Sequence, residues 1–313
     1  MHIDTPTSRD LAAVHAWRDC TVGKKSVLRD RMDGRQITLL DQSIRPYLPS
    51  TYPNYPRDPK IADVSEDAVL PPAAHLVYFP SHTTEFELAS DGYHADEAPP
   101  RPFVQRVWAG GLIEFSPGNP LRVGHLTSQT KTIKSVDIKE RSGADPLVLV
   151  RLALEMRNDT GLCVIEHRDL AYLMPTNLQR KVVKYNKQPD FSHTIMPSEI
   201  LLFRYSALTW NSHRIHYDVP YACKTENHPG LLVHGPLTCT LLLQLLQSYI
   251  PQGMTLKSFD YRAIAPLYCN QQLTLNGRWI SSDSSGVPSR CELWATNNEG
   301  GVSMKGTAAL ASL

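Results

Sequence analysis

Three things are scarce in this 313-residue sequence. Net charge is the first: 32 Lys and Arg face 31 Asp and Glu, a balance of +1. No broad basic face is available to read a polyanion, so nucleic acid is not an expected partner. A long apolar run is the second. The most apolar stretch, Leu231 to Ile250, is interrupted by His234, Thr238, Thr240, Gln244, Gln247 and Ser248, which is too polar for a membrane span; a soluble protein is expected. Paired cysteines are the third. Cys20, Cys163, Cys223, Cys239, Cys269 and Cys291 are scattered with no CxxC pair, several inside apolar runs, where free cysteine behaves as a small hydrophobe. That pattern fits a reducing, intracellular compartment. The first residues carry Asp4 and Asp10 and lack both a secretory apolar core and the Arg-rich, acid-poor character of a transit peptide. Cytoplasm is the expected location, with mitochondria the alternative.

What is present is organised in two halves. The length exceeds the usual single compact core, so two domains or a duplicated one are expected. Helices are expected at Ser8 to Cys20 and Gln36 to Tyr47, followed by a proline- and tyrosine-rich segment from Pro49 to Pro59 that continues neither. Proline and charge return from Asp91 to Pro102. Val148, Val150, Leu152, Leu154 and Met156 then alternate at period two, and Cys163 to Leu173 is a second strand candidate. The polar stretch from Pro175 to Pro197, with Gln179, Arg180, Lys181, Lys184 and Lys187, reads as a crossing between halves. We therefore expect an N-terminal helical or irregular extension over residues 1–70, a first half over 71–190 and a second over 191–313.

The second half is the more legible. Ser198 to Leu208 reads as a short helix with Ser198 as N-cap, and Pro236 to about Tyr249 as a helix apolar around much of its circumference, hence buried on several sides. Strand candidates follow at Ser258 to Tyr268, Gln271 to Ile280, Arg290 to Ala295 and Val302 to Leu310. Turn signals lie at Asn276-Gly277, Ser284 to Pro288 and Asn297 to Gly301. One buried helix followed by four strands predicts an α+β fold in which a curved antiparallel sheet wraps around the helix, the hot-dog arrangement.

The densest group of functional side chains is Asn211-Ser-His213-Arg214-Ile-His216-Tyr217-Asp218, with His234-Gly235-Pro236 at the start of the buried helix. Pro236 suits the first helical position because it has no N–H to leave unpaired there. The N–H groups of Gly235, Leu237 and Thr238 should point out of the helix start with the positive dipole end behind them. Glycine at 235 would let a substrate carbonyl approach the backbone. Taking the proton beside a thioester carbonyl puts negative charge on that oxygen, so such a donor acts mainly in the transition state. The reaction also needs a group that exchanges protons near neutral pH, and His216 is the candidate.

Residues Tyr205 to Asp218 and Pro229-Gly-Leu-Leu-Val-His234-Gly235-Pro236-Leu resemble the MaoC-type hydratase family, nearest to its branch of mesaconyl-C4-CoA hydratases and fungal hydroxyacyl-thioester dehydratases type 2. In the first half His75-Leu-Val-Tyr-Phe-Pro80, Asp91-Gly92, Pro99-Pro-Arg-Pro102, Val107-Trp108-Ala-Gly110-Gly111 and Lys139-Glu-Arg141-Ser-Gly143 carry the same likeness, which runs from about residue 70 to the C-terminus. The resemblance implies a double hot-dog fold whose first half has lost the catalytic loop and helps form the acyl tunnel. It also implies a substrate carried on coenzyme A or an acyl carrier protein, no cofactor, and a homodimer as the assembly to test. The wider family pairs an aspartate with a histidine five residues later. Here the histidine matches His216, but Asn211 stands at the aspartate position. Asparagine takes up no proton, so Asn211 would orient water or hydroxyl while His216 moves protons, assisted by Asp218 or His213.

Each residue also has a plainer reading. His213 and His216 form an HxxH pair without the glutamate and third ligand of known zinc patterns, so no metal is expected. Asp218 suits a capping role, Arg214 a salt bridge to it or contact with a substrate phosphate, and His234 a satisfied position at the helix start. Trp108 suits the core, beside a Gly110-Gly111 pair that would let an acyl chain or pantetheine arm come close. Two other functions stay open: thioester hydrolysis, for which the central helix lacks a carboxylate, and non-catalytic acyl binding, which Asn211 would favour.

Overall fold

The computed structural model describes residues 6–50, 64–95, 97–141, 144–175, 182–282 and 286–313. Most of the Pro49 to Pro59 segment, the 179–181 part of the basic stretch, Ser142-Gly143 and the first residues of the Ser284 to Pro288 turn fall outside these ranges. Chain order begins α1 (Ser8–Thr21), β1 (Lys25–Arg31), α2 (Gly34–Ile44), β2 (Gln105–Phe115), β3 (Leu126–Arg141), β4 (Ala144–Asn158), β5 (Gly161–Leu173) and β6 (Phe191–Ile195). It continues with α3 (Glu199–Leu208), α4 (Gly235–Gln247), β7 (Met254–Ala263), β8 (Leu273–Ser282), β9 (Pro288–Asn297) and β10 (Val302–Ser312).

All ten strands form one antiparallel sheet in the order β1-β3-β4-β5-β2-β7-β10-β9-β8-β6. Of the first five, β2 to β5 belong to the first half and β1 to the N-terminal segment, and the last five belong to the second half, so the two hot-dog sheets join edge to edge through β2 and β7, closing two edges that would otherwise invite pairing. Gly110 and Gly111 lie on that seam, opposite Arg262 and Tyr261. A Cβ on Gly110 would sit 2.5 Å from the Tyr261 carbonyl oxygen, and one on Gly111 would overlap the His167 carbonyl oxygen of β5. The pair that was expected to admit an acyl chain instead lets three strand backbones close on one another.

Helix α4 has buried side chains at every position from Leu237 to Leu246, as an all-round apolar helix must. Its one amide there, Gln244, is fully buried and donates from Nε2 to the Pro72 carbonyl at 2.6 Å, tying the second half's helix to the first half. The alternating residues of β4 from Val148 to Met156 are likewise buried. Within the described residues 6–50, β1 pairs with β3 along seven positions as the sheet's outer strand, and α2 buries Ile37, Leu40 and Ile44. Strand β7 runs from 254 to 263 where 258 to 268 was expected; past Ala263 the Ile264 and Ala265 N–H groups turn to the Ser303 carbonyl.

Candidate active site

A cavity of about 160 Å³ lies where the start of α4, the Asn211–His216 loop and strand β2 meet; Asn211, His213, His216, Gly235, Trp108 and Arg106 are on its wall. The loop is held from the first half. Ser212 Oγ donates to the Gly92 carbonyl at 2.5 Å, and the Arg214 N–H to the Asp91 carbonyl at 2.8 Å.

His216 ends a short 3-10 turn, Arg214–His216, and is buried. Its Nδ1 lies 2.9 Å from the Leu232 carbonyl oxygen. A carbonyl can only accept, so Nδ1 carries the proton and Nε2 keeps a lone pair. Burial first, and the neighbouring His213 second, push its pKa down to about 3 against a smaller opposing effect of the Leu232 bond, so the ring is neutral at physiological pH. On one side it stacks on His234, centroids 3.6 Å apart; on the other His213 stands edge-on at 5.6 Å. His234 lies behind His216, off the cavity wall, with its Nε2 2.9 Å from Ser206 Oγ. Burial, then the charges of His216 and His213, hold it well below the usual histidine range.

Asn211 Oδ1 accepts the His213 N–H at 2.9 Å. This bond identifies the oxygen and leaves the amide nitrogen of this wall residue as its side-chain donor. At the start of α4 the Thr238 N–H is already used, donating to the His234 carbonyl at 3.0 Å. The expected set of free donors therefore shrinks to Gly235 and Leu237, whose N–H groups meet no acceptor among the described residues. A Cβ on Gly235 would lie 2.6 Å from Cε3 of Trp108. The missing side chain at 235 thus makes room for an indole, a packing reason the sequence did not suggest.

Other expected site residues sit off the wall. Arg214 pairs with Asp218 through Nε and Nη2 at 3.0 and 2.7 Å, and Asp218 Oδ1 accepts the Tyr221 N–H at 3.0 Å; both do structural work outside the cavity, as do Gly110 and Gly111. Conversely, Glu226, His228, Tyr93, Arg106 and Arg168 line the cavity and were not singled out. Glu226 lies 3.9 Å from His213 and 3.7 Å from His228. Burial would raise its pKa, but the two imidazoles outweigh that and hold it at about 2. The one available signal was the polar run Glu166-His167-Arg168-Asp169 in the middle of the Cys163 to Leu173 strand. Among the described residues no His, Cys, Asp and Glu side chains are grouped to hold a metal ion, and no helix is long and apolar enough to cross a membrane.

The sequence profile of hydroxyacyl-thioester dehydratase type 2 matches residues 73–269. A mesaconyl-C(4)-CoA hydratase from Chloroflexus aurantiacus is 34% identical over 254 residues, 78% of this chain and 89% of the relative. A mitochondrial hydroxyacyl-thioester dehydratase type 2 from Schizosaccharomyces pombe is 31% identical over 277 residues, 80% and 89% of the two chains. In fold, the crystal structure of a MaoC-like dehydratase from Phytophthora capsici superposes with a TM-score of 0.65 at 14% identity, covering 97% of this chain and 99% of that one.

Proposed function

We propose, from the premise that the chain belongs to the hydroxyacyl-thioester dehydratase type 2 family, that this hydro-lyase removes water reversibly from a 3-hydroxyacyl thioester, with His216 as the only proton carrier. The observation that carries this reading is the locked tautomer: Nδ1 is held on the Leu232 carbonyl, so the Nε2 lone pair is the atom left to face the cavity that Gly235 also borders.

In the dehydration direction Nε2 takes the proton from C2 and the ring becomes imidazolium. Charge moves onto the thioester oxygen, where the Gly235 N–H at the positive end of α4 stabilises it. The C3–O bond then breaks, the departing hydroxyl takes the proton back from Nε2, and water leaves with the imidazole restored. Asn211 holds the C3 oxygen by donating from its amide nitrogen. One imidazole serving as base and then acid requires proton and hydroxyl to leave from the same face. The depressed pKa keeps the ring neutral and ready to accept, weakens it as a base in the first transfer and favours the second, in which the imidazolium returns its proton.

The test is to mix the full-length protein with crotonyl-CoA and follow the conjugated thioester absorbance together with free thiol. Loss of absorbance without thiol release, and a 3-hydroxyacyl product, is the expected result. Thiol release would replace dehydration with thioester hydrolysis, and binding without either change would make the protein an acyl-binding module.

A further inference from the structure

Glu226 is the one carboxylate among the described residues on the wall of this cavity, which also carries two guanidinium groups, Arg106 and Arg168. It follows the turn Tyr221–Thr225, and its N–H donates to the Tyr221 carbonyl at 3.2 Å. The residue is 7% exposed. Each of its oxygens faces an imidazole nitrogen: Oε1 lies 3.9 Å from His213 Nε2, and Oε2 lies 3.7 Å from His228 Nε2. Both separations are too long for a direct hydrogen bond, so Glu226 acts on these rings through its charge.

The other carboxylates nearby are committed elsewhere. Glu166 holds Arg168 in a fork at 2.6 and 2.9 Å, and Asp218 holds Arg214. Asp91, off the wall, accepts the Tyr93 N–H at 3.0 Å through Oδ1. Around His216 the close groups are neutral or of the wrong sign for a cation. His234 is stacked on one side, His213 stands edge-on at 5.6 Å, and Asn211 on the same wall is an amide. Burial and His213 both disfavour the protonated ring, while the Leu232 carbonyl and the Glu226 charge favour it. Of those two, the carbonyl already holds Nδ1–H before any reaction.

We propose that Glu226 is a positioning residue for the reaction: its carboxylate, acting across the His213 ring, offsets the positive charge that forms on His216 between the two proton transfers. The proton passes from C2 to His216 Nε2 and from there to the departing hydroxyl, and Glu226 stays ionised throughout. Fixed in place before the charge appears, such a group stabilises it without reorganising. This rests on the reading of His216 as the proton carrier. Because the imidazolium is absent from the free protein and from the bound ground state, the effect belongs to turnover and not to binding.

Glu226→Gln keeps the size of the side chain and removes the charge. Loss of a nearby opposite charge moves an imidazole by about one pKa unit, so kcat with crotonyl-CoA should fall about tenfold. Butyryl-CoA has neither the double bond nor the hydroxyl needed for turnover, and its calorimetric Kd should stay within about twofold of the wild-type value. Glu226→Asp keeps the charge and should retain more turnover than the glutamine variant. Unchanged kcat in Glu226→Gln, a Kd that weakens as much as kcat falls, or an aspartate variant as slow as the glutamine one overturns the role of Glu226 and leaves the dehydratase reading standing. If glutamine prevents folding, aspartate decides alone: one methylene shorter, it should lower kcat about threefold at unchanged Kd, and an unchanged kcat overturns the proposal. Absence of turnover in the wild-type protein overturns the dehydratase reading and this role with it.

Discussion

His216 and His234 lie face to face, their ring centroids 3.6 Å apart and their planes 19° from parallel. Two imidazoles so close in a buried site cannot both be charged, and both are held below the usual histidine range. The stack fixes the plane of the His216 ring, and the Leu232 carbonyl fixes which nitrogen faces the cavity. Proton transfer depends steeply on such alignment.

If His234 is only a platform, His234→Phe, which keeps a flat ring and drops the bond to Ser206, should hold turnover within about tenfold. His234→Ala should lose more turnover and about 2–4 kcal/mol of stability, as large-to-small changes in a packed interior do. Steady-state turnover and chemical denaturation of both variants provide the check. Equal damage by phenylalanine and alanine would mean that a His234 nitrogen takes part in proton movement.

Gly235→Ala places a methyl 2.6 Å from Trp108 Cε3. Overpacking of this kind costs roughly 1–3 kcal/mol, so the variant should be less stable as well as slower. Trp108→Leu on the same chain should relieve the crowding, making the double-mutant loss smaller than the sum of the single losses by about 1 kcal/mol. Strict additivity in denaturation would show that the helix start shifts to accept the methyl and that the indole does not dictate glycine here.

The elements legible in the sequence are those whose burial is uniform or strictly alternating. Helix α4 announces itself through Leu241 to Leu246, and β4 through Val148 to Met156. Strands β1 and β3 do not. Lys25–Arg31 is exposed at five of seven positions, and Leu126–Arg141 is rich in Lys, Thr and Ser, so neither carries a clear period. Their pairing comes from the sheet. At the site, Asn211, His213 and His216 stand together in one local motif and are brought together on the cavity wall. What makes Gly235 necessary, however, is Trp108 from the other half, and what faces His213 is Glu226 from beyond the next turn. Such juxtapositions depend on topology. Arg106 and Arg168 were missed for a related reason: charges in a strand, alone as at Arg106 or grouped as around Arg168, read as solvated positions until their neighbours are known.

Stability should fall on acidification in two windows. The folded-state pKa of His216, about 3, is below its ordinary 6.5. The unfolded chain therefore takes the proton first, and the contribution of this residue is complete above pH 6.5 and lost as pH falls toward 3. The slope is at most about 1.4 kcal/mol per pH unit. Glu226, at about 2 against 4.5, contributes above pH 4.5 and loses its contribution between 4.5 and 2. Denaturation midpoints from pH 7 to 5 thus report the buried histidines alone of these groups, and His216→Phe should flatten that part of the curve. An unchanged slope in the variant would show that His216 is solvated in the folded protein.

The decisive comparison is between His216 and His213, which share a side-chain type, a loop and a cavity. Removing His216 deletes the only group in the Asn211, His216, Gly235 set able to exchange a proton, so turnover should fall by about a hundredfold to ten-thousandfold. A loop imidazole would be expected to matter little to stability, but this ring is buried and its Nδ1–H serves the Leu232 carbonyl. His216→Ala should therefore also cost about 1–3 kcal/mol, the usual penalty for a buried acceptor left unpaired. His216→Gln separates the two effects, because its amide nitrogen can still donate to Leu232 while nothing in it accepts a proton from carbon. Stability should largely return in the glutamine variant and turnover should not. His213 touches the cavity but faces Asp91 and Glu226 at 3.7 and 3.9 Å, and His213→Ala should slow the reaction less. Turnover surviving in both His216 variants but lost in His213→Ala would move the proton carrier to His213, and the tautomer argument at Leu232 would describe a structural ring.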